Sequence, residues 1–345
     1  MASPRSAPPS AEPASPSGAS GDESDGGVGL LLFSGDQAER LSSLDDVPAR
    51  LGGSRLLWID VGATSEETAA RVADELELDD EARRALVSST KTASFRDAGH
   101  FIHVTVHCPG GSSSNDLIEV ECIVAKNWVV TAHNQPVPVL DDFQELASGS
   151  GPTGELDGPS FLAALLQWVL NEYSMAFERV EEELEEFDER AMRGKRKPED
   201  EIEELVRLRR EARLLKGALI AHRTPFLALT HRVLEARDDD AAADRFQALF
   251  DRYEVTVQNA RDARESIVNS FDVLIARTGH RTNEIMKILT LTSVILLPGA
   301  LLAGVMGMNF KVGLFDHAIV FWFVLLAMLM IAAVTLGVAK LRHWL

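Results

Sequence analysis

Three groups of residues in this chain have types and spacings that could do chemistry. His103, His107 and Cys108, within "HFIHVTVHC", are of the kinds that hold zinc. The run "EEELEEFDE", Glu181 to Glu189, concentrates carboxylates and would gather cations, although the same run reads more readily as the solvated face of a helix. The third group is a stripe. Stepping by four and three from Asp272 visits Ala276, Gly279, Asn283, Met286, Thr290, Ser293, Leu297, Ala300, Gly304 and Gly307, nearly all small or polar, inside an apolar stretch. Lipid gains nothing from such a face. It serves either a close helix contact, since small residues let membrane helices approach, or the wall of a pore in which Met286 and Leu297 form apolar constrictions that gate by dewetting. One helical hairpin encloses nothing, so the pore reading requires several copies of the chain.

Composition removes other classes. The 345 residues have room for two domains, and a formal charge of -19 makes nucleic acid a poor partner, because phosphate binding needs concentrated Lys and Arg. Two cysteines, Cys108 and Cys122, are too few for a disulfide framework or a four-thiolate metal site. No Ser/His/Asp order, phosphate loop or convergent metal triad is present, so the chain does not read as an enzyme and no cofactor is expected. His222, His231 and His280 fall on long helices, where solvent exposure is the expectation.

The elements that would position these residues follow from periodicity. Residues 1–28 are rich in Ser, Pro, Gly and Ala, lack a signal-peptide core and read as a disordered tail. Residues 29–147 read as a cytoplasmic α/β domain of α+β class, with a mostly antiparallel sheet and flanking helices. "RLLWIDVGA" predicts a strand, Thr64 and Glu67 sit at capping-box spacing before a helix, and "DDEARRALV" predicts a second short helix. "HFIHVTVH" alternates, sending Ile102, Val104 and Val106 one way and Phe101, His103, Thr105 and His107 the other. The same alternation puts Cys108 opposite both histidines, which speaks against a metal site and for a half-solvated sheet face. "IEVECIVAKNWVVTAH" supplies two further strands.

Residues 148–159 form a Gly/Pro/Ser linker, after which the chain turns helical. Ser160 is placed to cap a helix, and residues 160–235 predict a hairpin of two helices broken at "RGKRKPED", the second beginning at Pro198. From Ala241 no clear stop occurs before Pro298, so residues 241–310 predict a stalk helix of roughly 65 residues, about 100 Å at 1.5 Å each, that runs into a first membrane span. A loop over 311–317, a second span over 318–339 and a basic tail over 340–345 complete the chain. Arg277, Arg281 and Lys287 before the first span, with Lys340, Arg342 and His343 after the second, place both termini in the cytoplasm.

"TNEIMKILT", "LLPGALLAGVMGMNF" and "KLRHWL" resemble the CorA family of divalent-cation transporters, whose signature is Gly-Met-Asn at the outer end of the first of two membrane helices. Gly307, Met308 and Asn309 match it. The resemblance implies a funnel-shaped homopentamer in the plasma (inner) membrane that carries Mg2+, with Co2+ or Ni2+ as competing substrates. The first span would line the pore. Asn309 matches the family's selectivity residue and Asn283 an asparagine lower in the pore. Mg2+ releases its waters reluctantly, so a ring of neutral carbonyl oxygens would hold the hydrated ion without stripping it. Glycine at 307 would let the backbone turn out of the helix. With no ATP motif, inward flow would be driven by the membrane potential, at about 4.6 kcal/mol per 100 mV for a divalent ion.

The resemblance also marks departures. Asp272 matches an acidic residue that in relatives shares a regulatory cation with a neighbour's amino-terminal domain, but Arg84 and Ala85 fall where the partner carboxylates would lie, leaving Asp79, Asp80 and Glu81 as candidate substitutes. Lys311 follows the motif where an acidic residue is common, so recruitment by the outer loop would rest on Asp316. Lys340 and Arg342 serve either as a ring at the exit or as interfacial anchors. Two alternatives stand beside Mg2+ uptake. One is a Zn2+ or other transition-metal transporter of the ZntB branch, against which Met308 speaks; the other is a membrane-anchored coiled-coil scaffold that transports nothing.

Overall fold

The structure is a computed structural model that describes residues 28–34, 37–46, 55–62, 66–88, 92–110, 117–148, 157–193, 198–236, 240–308 and 318–341. Its elements are β1 (Val28–Ser34), β2 (Gln37–Arg40), β3 (Leu56–Val61), α1 (Glu66–Glu75), α2 (Asp80–Ala85), β4 (Ser94–Asp97), β5 (Ile102–Pro109), β6 (Leu117–Val124), β7 (Trp128–His133), α3 (Pro138–Ser148), α4 (Gly158–Met192), α5 (Pro198–Ala221), α6 (Arg223–Ala236), α7 (Asp240–Met306) and α8 (Ala318–Leu341). They divide into two compact units, one reaching Arg179 and including Glu211–Arg261, the other made of Val180–Arg210 and the residues from Asp262 onward.

The first unit is built on a seven-stranded sheet of order β2-β1-β3-β7-β6-β5-β4. Every pairing is antiparallel except β3 with β7. Alternation drives the layering, because β-branched and aromatic residues on both faces each need a cover. On one face Leu30, Leu32, Leu57, Ile59, Val61, Ile123 and Val130 pack with Ala69, Val72 and Ala73 of α1 and Ala82 of α2. On the other, Trp58 meets Phe143 of α3 at 5.8 Å and Phe161 of α4 at 5.3 Å between ring centroids.

Two covered faces leave no half-solvated one, which corrects the reading of His103, Thr105 and His107. His103 and Thr105 are buried and His107 nearly so. Burial is possible because the polar groups satisfy one another across strands: Glu121 on β6 lies 2.8 Å from the His103 ring nitrogen and accepts from the Thr105 hydroxyl at 2.8 Å, while Ser94 on β4 meets Thr105 at 2.9 Å. Cys108 shares the parity of Val104 and Val106, away from both histidines, and burial pushes its thiol up to about 12. Among the described residues no three metal-ligating side chains converge.

The helical part begins earlier than expected. Asp157, not Ser160, caps α4: its carboxylate accepts from the Ser160 N–H at 2.9 Å. The first turn presses on the β6–β7 turn, with the Gly158 N–H donating to the Lys126 carbonyl at 2.8 Å and a Cβ at 158 falling 1.9 Å from the Ala125 oxygen. Only glycine fits there. The second arm of the expected hairpin is two helices, α5 and α6, separated at His222. Pro225 explains the break, since it has no N–H to offer Ala221 and its ring crowds that carbonyl.

His222 overturns the expectation of exposure. It is fully buried and stacks on Phe226 with centroids 5.4 Å apart. Its Nε2 accepts from the backbone N–H of His107 at 2.8 Å, and the Tyr173 hydroxyl donates to the His107 carbonyl at 2.9 Å. Burial, with His107 nearby, pulls the His222 pKa down to about 3, so the ring is neutral.

Candidate functional site

The second unit carries the stripe. Its portion ahead of the apolar stretch joins α4 and α5 to α7, with Leu184, Phe187, Leu205, Leu208, Ile267 and Leu274 buried. Polar links fix the three helices. Arg190 of α4 pairs with Glu204 of α5 at 2.7 Å, and Glu183 with Arg207. Asp188 accepts from the Ser270 hydroxyl at 2.9 Å, and Arg277 of α7 reaches both carboxylate oxygens of Glu201, at 2.9 and 3.1 Å. Glu201 is only 3% exposed. In the sequence Arg277 reads only as one of the charges flanking the membrane; in the structure it has a specific partner. That partner is a carboxylate in the first turn of α5, 76 residues away, which nothing local in the sequence marks.

Beyond Arg277, α7 continues as one helix of 67 residues that contains Pro298. The last part of α7, and α8 over Trp322–Leu341, are long and apolar enough to cross a membrane. They meet along matched rows: Lys287, Leu291, Ile295, Pro298, Gly299 and Leu302 are partly covered on α7, as are Val324, Ala327, Met328, Ile331, Thr335 and Ala339 on α8. Gly299 marks the close approach, where a Cβ would lie 3.0 Å from the Met328 methyl.

The candidate stripe avoids that contact. Asn283, Met286, Thr290, Ser293, Leu297, Ala300 and Gly304 are all exposed in the single chain, Leu297 to 69%. Successive residues turn by about 100°, so Ser293, Leu297, Ala300 and Gly304 are centred roughly 160° around the helix from Leu291, Ile295, Pro298 and Leu302. Thr290 stands at the margin, where it also borders a crevice of about 370 Å³ against Val334 and Val338.

At the end of the stripe the Gly307 N–H donates to the Ala303 carbonyl at 2.9 Å and the Met308 N–H to Val305 at 3.2 Å. The helix tightens and stops there. Gly307 does so without a left-handed φ, and a Cβ would lie 3.3 Å from the Ala303 oxygen, so close approach rather than turning freedom is what glycine offers at this position. Asn309 and the loop over 311–317, with Lys311 and Asp316, lie outside the described residues, as do Arg342 and His343.

Asp272 is exposed on α7. Of the three candidate substitutes for its missing partners, Asp79 and Glu81 have partners of their own. In the first unit Asp79 caps α2 by accepting from the Ala82 N–H at 2.9 Å and pairs with Arg96 of β4, which holds its carboxyl down at about 2. Glu81 lies 3.6 Å from the same guanidinium.

Known proteins share this arrangement. The family described as CorA-like Mg2+ transporter protein matches residues 53–340. The chain belongs to that family. A relative, the cobalt/magnesium transport protein CorA of Methanocaldococcus jannaschii, is 21% identical over 297 residues, covering 84% of this chain and 92% of its own length. The CorA of Thermotoga maritima is 23% identical over 195 residues, or 56% of this chain and 54% of that protein. Among solved structures, the complete CorA magnesium transporter from M. jannaschii superposes with a TM-score of 0.75 at 19% identity, over 92% of this chain and 98% of the other. Full-length CmaX gives 0.73 at 19%, over 94% and 100%. The ZntB cytoplasmic domain from Vibrio parahaemolyticus RIMD 2210633 gives 0.57 at 11%, over 73% and 98%. CorA membership makes the chain a divalent-cation transporter of the inner membrane, not an enzyme, and its two carboxy-terminal apolar helices are its transmembrane spans.

Proposed function

We propose that the chain is the subunit of a homopentameric Mg2+ channel, with both termini cytoplasmic, through which the hydrated ion passes down the membrane potential. The supporting observation is the placement of the stripe: Asn283, Met286, Thr290, Ser293, Leu297, Ala300 and Gly304 are exposed on α7, and Ser293, Leu297, Ala300 and Gly304 lie on the side turned away from α8. Small and polar side chains on a membrane helix need water or a second protein surface, and five copies around an axis supply both.

In this reading Met286 and Leu297 are the constrictions. Gly307, Met308 and Asn309 form the outer rim, where uncharged oxygens hold Mg2+ through its water shell. Asp272 belongs to a regulatory cation site whose second half is not supplied by Asp79, because that carboxylate caps α2 and pairs with Arg96. Co2+ and Ni2+ are competing substrates. Relatives named for cobalt/magnesium transport and for CorA magnesium transport support Mg2+ and Co2+.

The test is uptake into proteoliposomes of Mg2+, Co2+, Ni2+ and Zn2+, under an applied potential and then under a proton gradient. Voltage-driven Mg2+ entry that Asn309→Ala impairs is the expected result. Proton-driven Zn2+ entry would move the chain to a ZntB-like activity, and no entry of any ion would leave a membrane-anchored scaffold.

A further inference from the structure

We propose that the pair Glu201–Arg277, whose carboxylate is buried, is a positioning device that fixes the rotational setting of α7, and through it the face that α7 turns to the pore; this rests on the channel reading above. The sequence alone gives no hint of the pair, which joins residues 76 positions apart. Its geometry is specific. The Arg277 guanidinium reaches both Glu201 oxygens at 2.9 and 3.1 Å, and the carboxylate is almost wholly shut from water. A charge so buried tolerates no loss of its partner, whereas an exposed pair would matter little.

The pair does not act alone on α7. Ser270, seven residues earlier, donates to Asp188 at 2.9 Å, so α4 and α5 each grip α7 within two turns. Seven residues return almost to the same side of a helix, which makes the two grips a single line along α7. At about 100° per residue, Asp272, Met286, Thr290 and Leu297 lie roughly 160–200° from Ser270. The grips therefore hold the back of the rod whose front is the stripe. No helix break is present between Arg277 and Met286, so a rotation permitted at one is delivered to the other. Releasing Arg277 frees that rotation and relaxes the alignment of the Met286 and Leu297 side chains across the axis.

The experiment uses the full-length protein in proteoliposomes. Glu201→Gln and Arg277→Gln each raise the initial rate of Mg2+ entry by about threefold or more, and the double variant matches the singles, because each breaks the same link. Glu201→Asp, which keeps the charge, stays within about twofold of the parent protein. The order of preference among Mg2+, Co2+, Ni2+ and Zn2+ is unchanged, since neither side chain lies on the stripe. Arg190→Gln removes the Arg190–Glu204 pair in the same region without touching α7 and leaves entry unchanged, which separates positioning from general weakening of the helix ends. Entry unaffected by Glu201→Gln, equal effects from Arg190→Gln, or additive effects in the double variant each overturn the proposal while the channel reading stands. A parent protein that admits no divalent ion overturns both.

Discussion

Acidification should weaken the sheet domain through His222, and in the same direction through His107, whose pKa burial also lowers, in parent and His222 variant alike. In the folded chain the His222 imidazole is fully buried with its pKa pulled down to about 3, whereas the unfolded chain presents it at the ordinary value of 6.5. The unfolded state therefore binds the extra proton between these two values, and stability is lost as pH falls through the window. The slope approaches 1.36 kcal/mol per pH unit, so moving from pH 7.5 to 5.0, about 1.5 units below 6.5, removes about 2 kcal/mol. His222→Gln keeps an acceptor for the His107 N–H and abolishes the titration. Guanidinium unfolding of the full-length protein in detergent, followed by tryptophan fluorescence from the buried Trp58 and Trp128, measures both proteins at both pH values. The variant should lose about 2 kcal/mol less than the parent on acidification. His133 contributes with the opposite sign in both proteins: burial disfavours its charge, but Asp60 and the Gln135 carbonyl together raise its pKa, so its support is complete below 6.5 and fades as pH rises. Equal acid sensitivity in parent and variant would refute the assignment of a neutral, buried acceptor at position 222.

Gly158→Ala forces a Cβ to 1.9 Å from the Ala125 oxygen and should cost about 3 kcal/mol, read as a lower denaturation midpoint. Asp79→Ala removes the cap of α2 and should cost about 1 kcal/mol, while the dependence of Mg2+ entry on internal Mg2+ is unchanged; a change there would return Asp79 to the regulatory site. Leu297→Ala widens a proposed constriction and should raise Mg2+ entry in liposomes without reversing the ion order. Asp272→Asn should leave the resting rate intact and weaken inhibition by internal Mg2+, measured by preloading the vesicles.

What was legible in the sequence was whatever repeats along the chain. The strand β5, the first two helices and the long α7 were visible because alternation and helical spacing are local properties of a few consecutive residues. The same rule failed for His103 and Thr105, whose polarity suggested water although Glu121, eighteen and sixteen residues away, was their partner. The helix α3 was unread, despite Leu140, Phe143 and Ala147 at helical spacing after Pro138. Pro225 signalled the division between α5 and α6 and was passed over within a run that otherwise looked helical. At the candidate site the stripe could be written down from positions alone, because it is a property of one helix. The grip of Glu201 on Arg277 could not, since nothing local marks two residues on different helices as neighbours.

The treatment of β5 past its pairing with β4 has a further consequence. Among the described residues β4 accompanies β5 only as far as Thr105, which would leave the outer border of the sheet open from there to Pro109. Both main-chain groups of His107 on that border are instead taken by side chains, those of His222 and Tyr173. An incoming strand therefore finds no vacant ladder at His107 on this stretch of β5, so that part of the border does not offer a template for joining sheet to sheet.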